Sequence, residues 1–253
     1  MVRSTISILR QHWLRACGCL AAAAILAGSQ ALAQSDGKVI RLSAVSLPPV
    51  VTPDHDGYLD NLIMELFSRV GMKVVFESLP IKRVLHSVNK GTIDGDAGRL
   101  REAGKGLPNV ISLNEPLFFV EFGGFYIDPE ISVTRLDDFK DHSVGFLQGW
   151  INAENLFGDG ANVVRARTPD SLFGLLAEGR IDIAFMTYVP GMEILRNKKI
   201  RDAKFSDYRI RKGVHLHLNK KFAALLPELE RALAEMHEDG TYARIMHNYE
   251  VGD

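Results

Sequence analysis

The chain has 253 residues, with 30 Lys and Arg against 31 Asp and Glu and a formal net charge of −1. That balance, without a basic tract, excludes the electrostatic footprint of a nucleic-acid binder. Beyond the first 33 residues no apolar run approaches the roughly 18 residues that a membrane-spanning helix needs.

The first segment reads as a secretory signal peptide. Arg3, Arg10 and Arg15 give a positive start without an acid, "ACGCLAAAAILAG" is a short apolar core, and "ALA" precedes Gln34 as a small-x-small cleavage site. Cleavage between Ala33 and Gln34 leaves 220 residues. Both cysteines, Cys17 and Cys19, lie inside the signal. The mature chain therefore has no disulfide, thiol nucleophile or Cys-based zinc site. The two cysteines precede the apolar core, where a lipid anchor would need one after it. The expected product is a released, periplasmic protein.

"KVIRLSAVS" (Lys38–Ser46) alternates as a strand, and Leu47–Gly57 is a Pro-rich loop. Leu59, Leu62, Ile63, Leu66, Phe67 and Val70 mark an amphipathic helix closed by Gly71. "KVVFES" is a strand, Val84, Leu85 and Val88 mark a second helix closed by Gly91, and "TIDGDAG" is a third strand. The alternation predicts a parallel sheet with covering helices. After the aromatic stretch "EPLFFVEFGGFYID" the rhythm restarts with "HSVGFLQ", "WINAENLF" and "NVVRA". "TPDSLFGLLAEG" is then a helix with Thr168 as N-cap, Pro169 at N1 and Gly179 just past its end. "RIDIAFMT" is a strand, "VPGMEILRN" a helix and "GVHLHLN" a strand. Phe222, Leu225, Leu226, Leu229, Leu233 and Met236 share one face of a predicted long helix, and "DGTYARIMHNY" begins another.

One junction occurs twice, 88 residues apart: Gly91-Thr-Ile93-Asp94 and Gly179-Arg-Ile181-Asp182 each end a helix and launch a strand. Asp94 and Asp182 are expected to cap or hydrogen-bond locally. His215 and His217 share one strand face, but no third ligand is placed by sequence, so no metal and no cofactor are expected.

With these segments in order, the chain resembles the type II periplasmic solute-binding proteins, specifically the amino-acid-binding branch known as bacterial solute-binding family 3. The pieces that carry the resemblance are "DGYLDNLIMELFSRVGMKVVFESLPIKRVL", "VNKGTIDGDAG", "LDDFKDHSVGFLQGW", "LFGLLAEGRIDIAF" and "LPELERALAEMHEDGTYARIM". The resemblance implies an α/β fold of two lobes joined by two crossing strands. Lobe 1 would comprise 36–120 plus 216–253 and lobe 2 would comprise 124–213. It implies a monomer that closes a cleft on a small molecule by a hinge motion, partnered by a membrane permease of an ATP-driven importer or by a receptor, without nucleic acid and without catalysis. Cyclohexadienyl dehydratases share the architecture, and for such an enzyme Glu115 and Glu121 are the acid–base candidates.

Ligands of open α/β sheets sit beyond the carboxyl ends of strands. Tyr58 either contacts the ligand or packs at its helix start. Ile81 offers an apolar wall, and Arg83 either faces the cleft or is solvated. Arg99 or Arg101, at a strand end, is the candidate to grip a carboxylate with a planar guanidinium; otherwise the pair lies at the surface with Glu102 or Asp96. Backbone N–H groups of Gln148, Gly149 and Trp150 are candidates to receive an anion, with Trp150 covering the ligand or packing between lobes. The second junction leads to Thr187 and Tyr188. The family's Thr-x-Thr-x-x-Arg turn is absent, and Thr187 stands where the family often carries an Asp for the ligand's ammonium. A buried ammonium needs a counter-charge, so an anionic or neutral polar solute is expected.

Overall fold

In the computed structural model, the described residues are 38–158, 160, 162–247 and 249. The expected signal peptide lies outside them. Ten strands form one sheet in the order β2-β1-β3-β10-β5-β8-β6-β7, with β4 on β10 and β9 on β5. They are β1 (Lys38–Ser43), β2 (Met72–Glu77), β3 (Gly95–Leu100), β4 (Val110–Ser112), β5 (Phe118–Tyr126), β6 (Val144–Leu147), β7 (Val163–Ala166), β8 (Ile183–Thr187), β9 (Lys204–Phe205) and β10 (Ile210–Asn219). The helices are α1 (Tyr58–Arg69), α2 (Ile81–Lys90), α3 (Ile151–Phe157), α4 (Pro169–Ala177), α5 (Tyr188–Lys198), α6 (Leu226–Glu238) and α7 (Thr241–Met246).

The sheet consists of two parallel trios, β2-β1-β3 and β7-β6-β8. Between them run β5 and β10, antiparallel to each other. The first half of β10 pairs with β5 and the second with β3, while β5 goes on to pair with β8. Both strands thus cross from one trio to the other, giving two lobes joined by two crossing strands.

Each lobe forms because its helices carry one apolar stripe. Leu62, Ile63, Leu66 and Phe67 of α1 are completely buried, each stabilising the fold by about 1.5–3 kcal/mol. Gly71 and Gly179 follow α1 and α4 in the left-handed region, at φ 70° and 64°, where a Cβ is disfavoured. Thr168 caps α4 by accepting from Ser171 N–H at 3.1 Å.

Three expectations are corrected here. The first strand ends at Ser43 rather than Ser46, because the chain turns at Leu47–Val51 in an isolated bridging pair. The long C-terminal helix begins only at Leu226, with Pro227 in its first turn. Phe222 and Leu225 belong to a preceding 3-10 segment, since a proline has no N–H to continue a helix through. Finally, Asp94 and Asp182 do not bond locally. Asp94 Oδ2 accepts Arg41 N–H at 2.9 Å while its own N–H donates to Arg41 O at 3.0 Å. Asp182 Oδ2 accepts Ser143 N–H at 2.7 Å and Asp182 N–H donates to Ser143 O at 3.1 Å. Each carboxylate clips its strand to the neighbouring one, β3 to β1 and β8 to β6.

Candidate functional site

A cavity of about 880 Å³ opens where the carboxyl ends of β1, β3, β6 and β8 meet the crossing strands. Its floor comes from the alternation of β5. Phe118, Val120 and Phe122 are two apart, so they share one face. They line the cavity and are 4%, 8% and 5% exposed. Trp150 stands edge-on to Phe122 with ring centroids 5.5 Å apart. Tyr249 stands edge-on to Phe118 at 5.2 Å, and burial holds its phenol well above the ordinary value.

The polar groups come from strand ends. Asp96 pairs with His217 and Arg99 with His215, so β3 carries one residue more than β10 across this interval. In a regular strand, residues three apart point to opposite faces; the extra residue is a β-bulge that flips the alternation and re-aims the side chain. Arg99 can therefore fold onto Asp96. Its Nε and Nη2 both donate to Asp96 Oδ2, at 3.0 and 2.8 Å. Asp96 is fully buried and the Arg99 side chain is 16% exposed, so the pair is internal rather than superficial. His217 lies directly opposite Asp96, with its Nδ1 2.7 Å from Ser112 Oγ. Burial holds this imidazole below its ordinary value, which keeps it neutral near Arg99.

Of the residues singled out from sequence, Ile81, Arg99, Gln148, Gly149, Trp150 and Thr187 line the cavity. Tyr58, Arg83, Arg101 and Tyr188 are not among its lining residues. Tyr58 packs edge-on to Tyr249 at 5.6 Å and borders a separate shallow hollow with Arg244 and Ile245. Arg83 is exposed on α2. Arg101 donates from Nη1 to the carbonyls of Leu113 and Asn114 at 3.2 and 3.0 Å, which turns it from the cleft. Tyr188 packs on Phe205 at 4.9 Å, inside lobe 2.

The turn at Gln148–Trp150 is not an open anion nest. Gln148 N–H donates to Ala166 O at 2.9 Å and Trp150 N–H to Leu147 O at 3.1 Å. Gly149 N–H serves Glu154, whose carboxyl is held below its ordinary value first by Arg165 and also by this amide. Sequence reading also missed Lys82, Lys105 and Arg167, which line the cavity, and the β5 floor. The alternation Phe118-x-Val120-x-Phe122 was the available signal for the floor. Isolated surface-type cations carry none.

Thr187 precedes α5, is 5% exposed, and its Oγ1 has no hydrogen-bond partner. Glu115 and Glu121 do not line the cavity; Glu121 pairs with Arg209 at 3.2 Å. His215 Nδ1 lies 3.1 Å from Leu113 O, and among the described residues no three His, Cys, Asp or Glu side chains cluster as a metal site requires.

No protein-family model matches the chain. The histidine-binding periplasmic protein of Escherichia coli (strain K12) is 25% identical over 206 residues, covering 76% of this chain and 78% of that protein. The lysine/arginine/ornithine-binding periplasmic protein of the same strain is 30% identical over 125 residues, 45% of this chain and 48% of its own. Among solved structures, a histidine kinase sensor domain with similarity to periplasmic binding proteins superposes with a TM-score of 0.75 at 22% identity, over 85% of this chain and 98% of that one. An ancestral arginine-binding protein bound to arginine gives 0.72 at 20% identity, over 84% and 98%. Two α/β lobes on crossing strands, with a cavity at the strand ends, give the chain the type II periplasmic-binding-protein fold. Relatives and structural neighbours of the chain include histidine- and arginine-binding proteins, and the chain shares their fold.

Proposed function

We propose that this chain is a non-catalytic solute receptor, exported by its cleavable signal peptide to the periplasm. It closes its cleft on a small carboxylate-bearing solute and presents it to an ATP-driven importer. The lobes are 36–120 plus 216–253 and 124–213, and closure is a hinge motion about β5 and β10. The carrying observation is the charge pattern of the cavity. Among the described residues, Lys82, Arg99, Lys105 and Arg167 line it, against one acid, Glu154, that is already gripped by Arg165. Such a cavity attracts anions.

A thermal-shift screen over carboxylates, amino acids, polyamines and sugars tests the reading. A solute at 100 times its dissociation constant adds about 2.7 kcal/mol of stability, a rise of a few degrees. Stabilisation by carboxylates is expected; stabilisation by polyamines alone would sink the reading.

A second reading has support from the likeness to a kinase sensor domain. In it the same closure signals to a receptor rather than delivering cargo. Pull-down from membrane extracts, with and without solute, separates the two by whether a permease or a kinase is retained.

A further inference from the structure

We infer that the solute is a monocarboxylate with an apolar body, aromatic or branched aliphatic, and no amino group. The inference rests on the receptor reading above and narrows it.

The first observation is the shape of the apolar wall. Phe118, Val120 and Phe122 form a continuous row along β5, with Val214 of the neighbouring β10 beside it, Trp150 edge-on to Phe122, and Leu59 also in the lining. Removing such a surface from water favours a solute that brings its own carbon skeleton. A short polyol or a dicarboxylate would lose its hydration against this wall and gain no hydrogen bonds from it.

The second is what the wall lacks. Glu154 is the sole acid among the described lining residues. Arg165 holds it through Nε at 3.0 Å and Nη2 at 2.8 Å on Oε2, with Nε also 3.3 Å from Oε1. Among the described lining residues an incoming ammonium group meets no unpaired carboxylate, and an ammonium buried without one is strongly disfavoured.

The third is the order of groups along the row. Val214, next to His215, pairs with Phe118 on one side and Leu100 on the other, and His215 pairs with Arg99. Arg99 therefore stands near the Phe118 end. Thr187 pairs with Phe122 and stands at the other. Arg99 and the neutral Thr187 hydroxyl are thus separated by the length of the apolar row. Asp96 occupies the Nε and Nη2 edge of Arg99. Nη1 remains to receive a carboxylate end-on, and the solute's body then lies along the row toward Thr187.

The test uses pairs of solutes that differ only by the amino group: hydrocinnamate with phenylalanine, and isocaproate with leucine, together with acetate, succinate, a polyamine and a sugar at equal concentration. Titration calorimetry and thermal melting of the protein are expected to show binding of hydrocinnamate or isocaproate, with each amino acid weaker by tenfold or more. Amino acids binding as tightly as their deaminated partners would overturn the inference. Binding of succinate or acetate without either apolar acid would overturn it too, while leaving the carboxylate-receptor reading intact. Binding of the polyamine or sugar alone, or of none of the panel, would remove both.

Discussion

Arg99 and Asp96 form an ion pair through two guanidinium nitrogens and one carboxylate oxygen, and they share a face of β3 only because a bulge lies between them. Arg99 lines the cavity, and Asp96 is fully buried. Removing one partner leaves the other charge buried. Asp96→Ala is expected to destabilise the protein by about 3–5 kcal/mol, measured by denaturant titration. Loss below about 1 kcal/mol would mean that the pair is solvated in solution and worth no more than a surface ion pair.

The two aspartates that clip neighbouring strands predict a matched pair of effects. Asp94→Ala and Asp182→Ala each leave a strand amide without its acceptor and should cost about 1–3 kcal/mol. If only one copy matters, equilibrium unfolding of the two variants will differ, and their structural equivalence would not extend to energetics.

Acid sensitivity follows from the same groups. The amide and then the hydroxyl of Ser143 hold Asp182 below the ordinary carboxylate range. The backbone amide and hydroxyl of Thr241, followed by Arg69, hold Asp239 down to about 2. A carboxyl depressed in the folded state adds stability above its unfolded value, and that stability fades as pH falls through the folded one. For Asp239 the window runs from about 4 down to about 2. Asp239→Asn should flatten the stability profile there and leave it unchanged in slope above pH 5, as followed by thermal melts across pH.

Thr187→Asp tests the missing counter-charge. Asp is as well suited as Thr to the position before a helix, where the dipole also favours a negative charge. The variant should fold and should shift preference toward amine-bearing solutes by about tenfold or more, a gain of about 1.4 kcal/mol. An unchanged ratio of leucine to isocaproate affinity would place the amine elsewhere.

Gly149 sits at φ 89° in the cavity lining, where an added Cβ would lie 3.2 Å from Lys82 Cγ and 3.4 Å from Ile81 Cγ2 of α2. Gly149→Ala is expected to cost about 1–3 kcal/mol from the strained backbone. Because Gly149, Ile81 and Lys82 all line the cavity, the variant should also weaken solute binding, which calorimetry reads separately from stability.

Much of this architecture was legible because it rests on periodic burial. The stripe Leu62-Ile63-Leu66-Phe67 and the duplicated Gly-x-Ile-Asp junction foretold helices, strands and their twofold arrangement. What escaped depends on single residues acting at a distance. Pro227 moved a helix start that hydrophobic spacing alone placed earlier. The partners of Asp94 and Asp182 are separated from them by 53 and 39 residues, and no local pattern announces them. Arg99 and Arg101 were indistinguishable in sequence, because their orientations depend on a bulge and on the carbonyls of Leu113 and Asn114.

That bulge makes the cleft's charge a matter of chain length as well as residue type. Deleting Ala97 alone would restore even pairing of β3 with β10 and send the guanidinium out through the opposite face of the sheet. The cavity would lose Arg99 and Asp96 its partner although every charged residue in the protein had been kept. Among relatives of this chain, the count of residues between that aspartate and that arginine therefore decides, along with their identities, which face of the sheet carries the guanidinium.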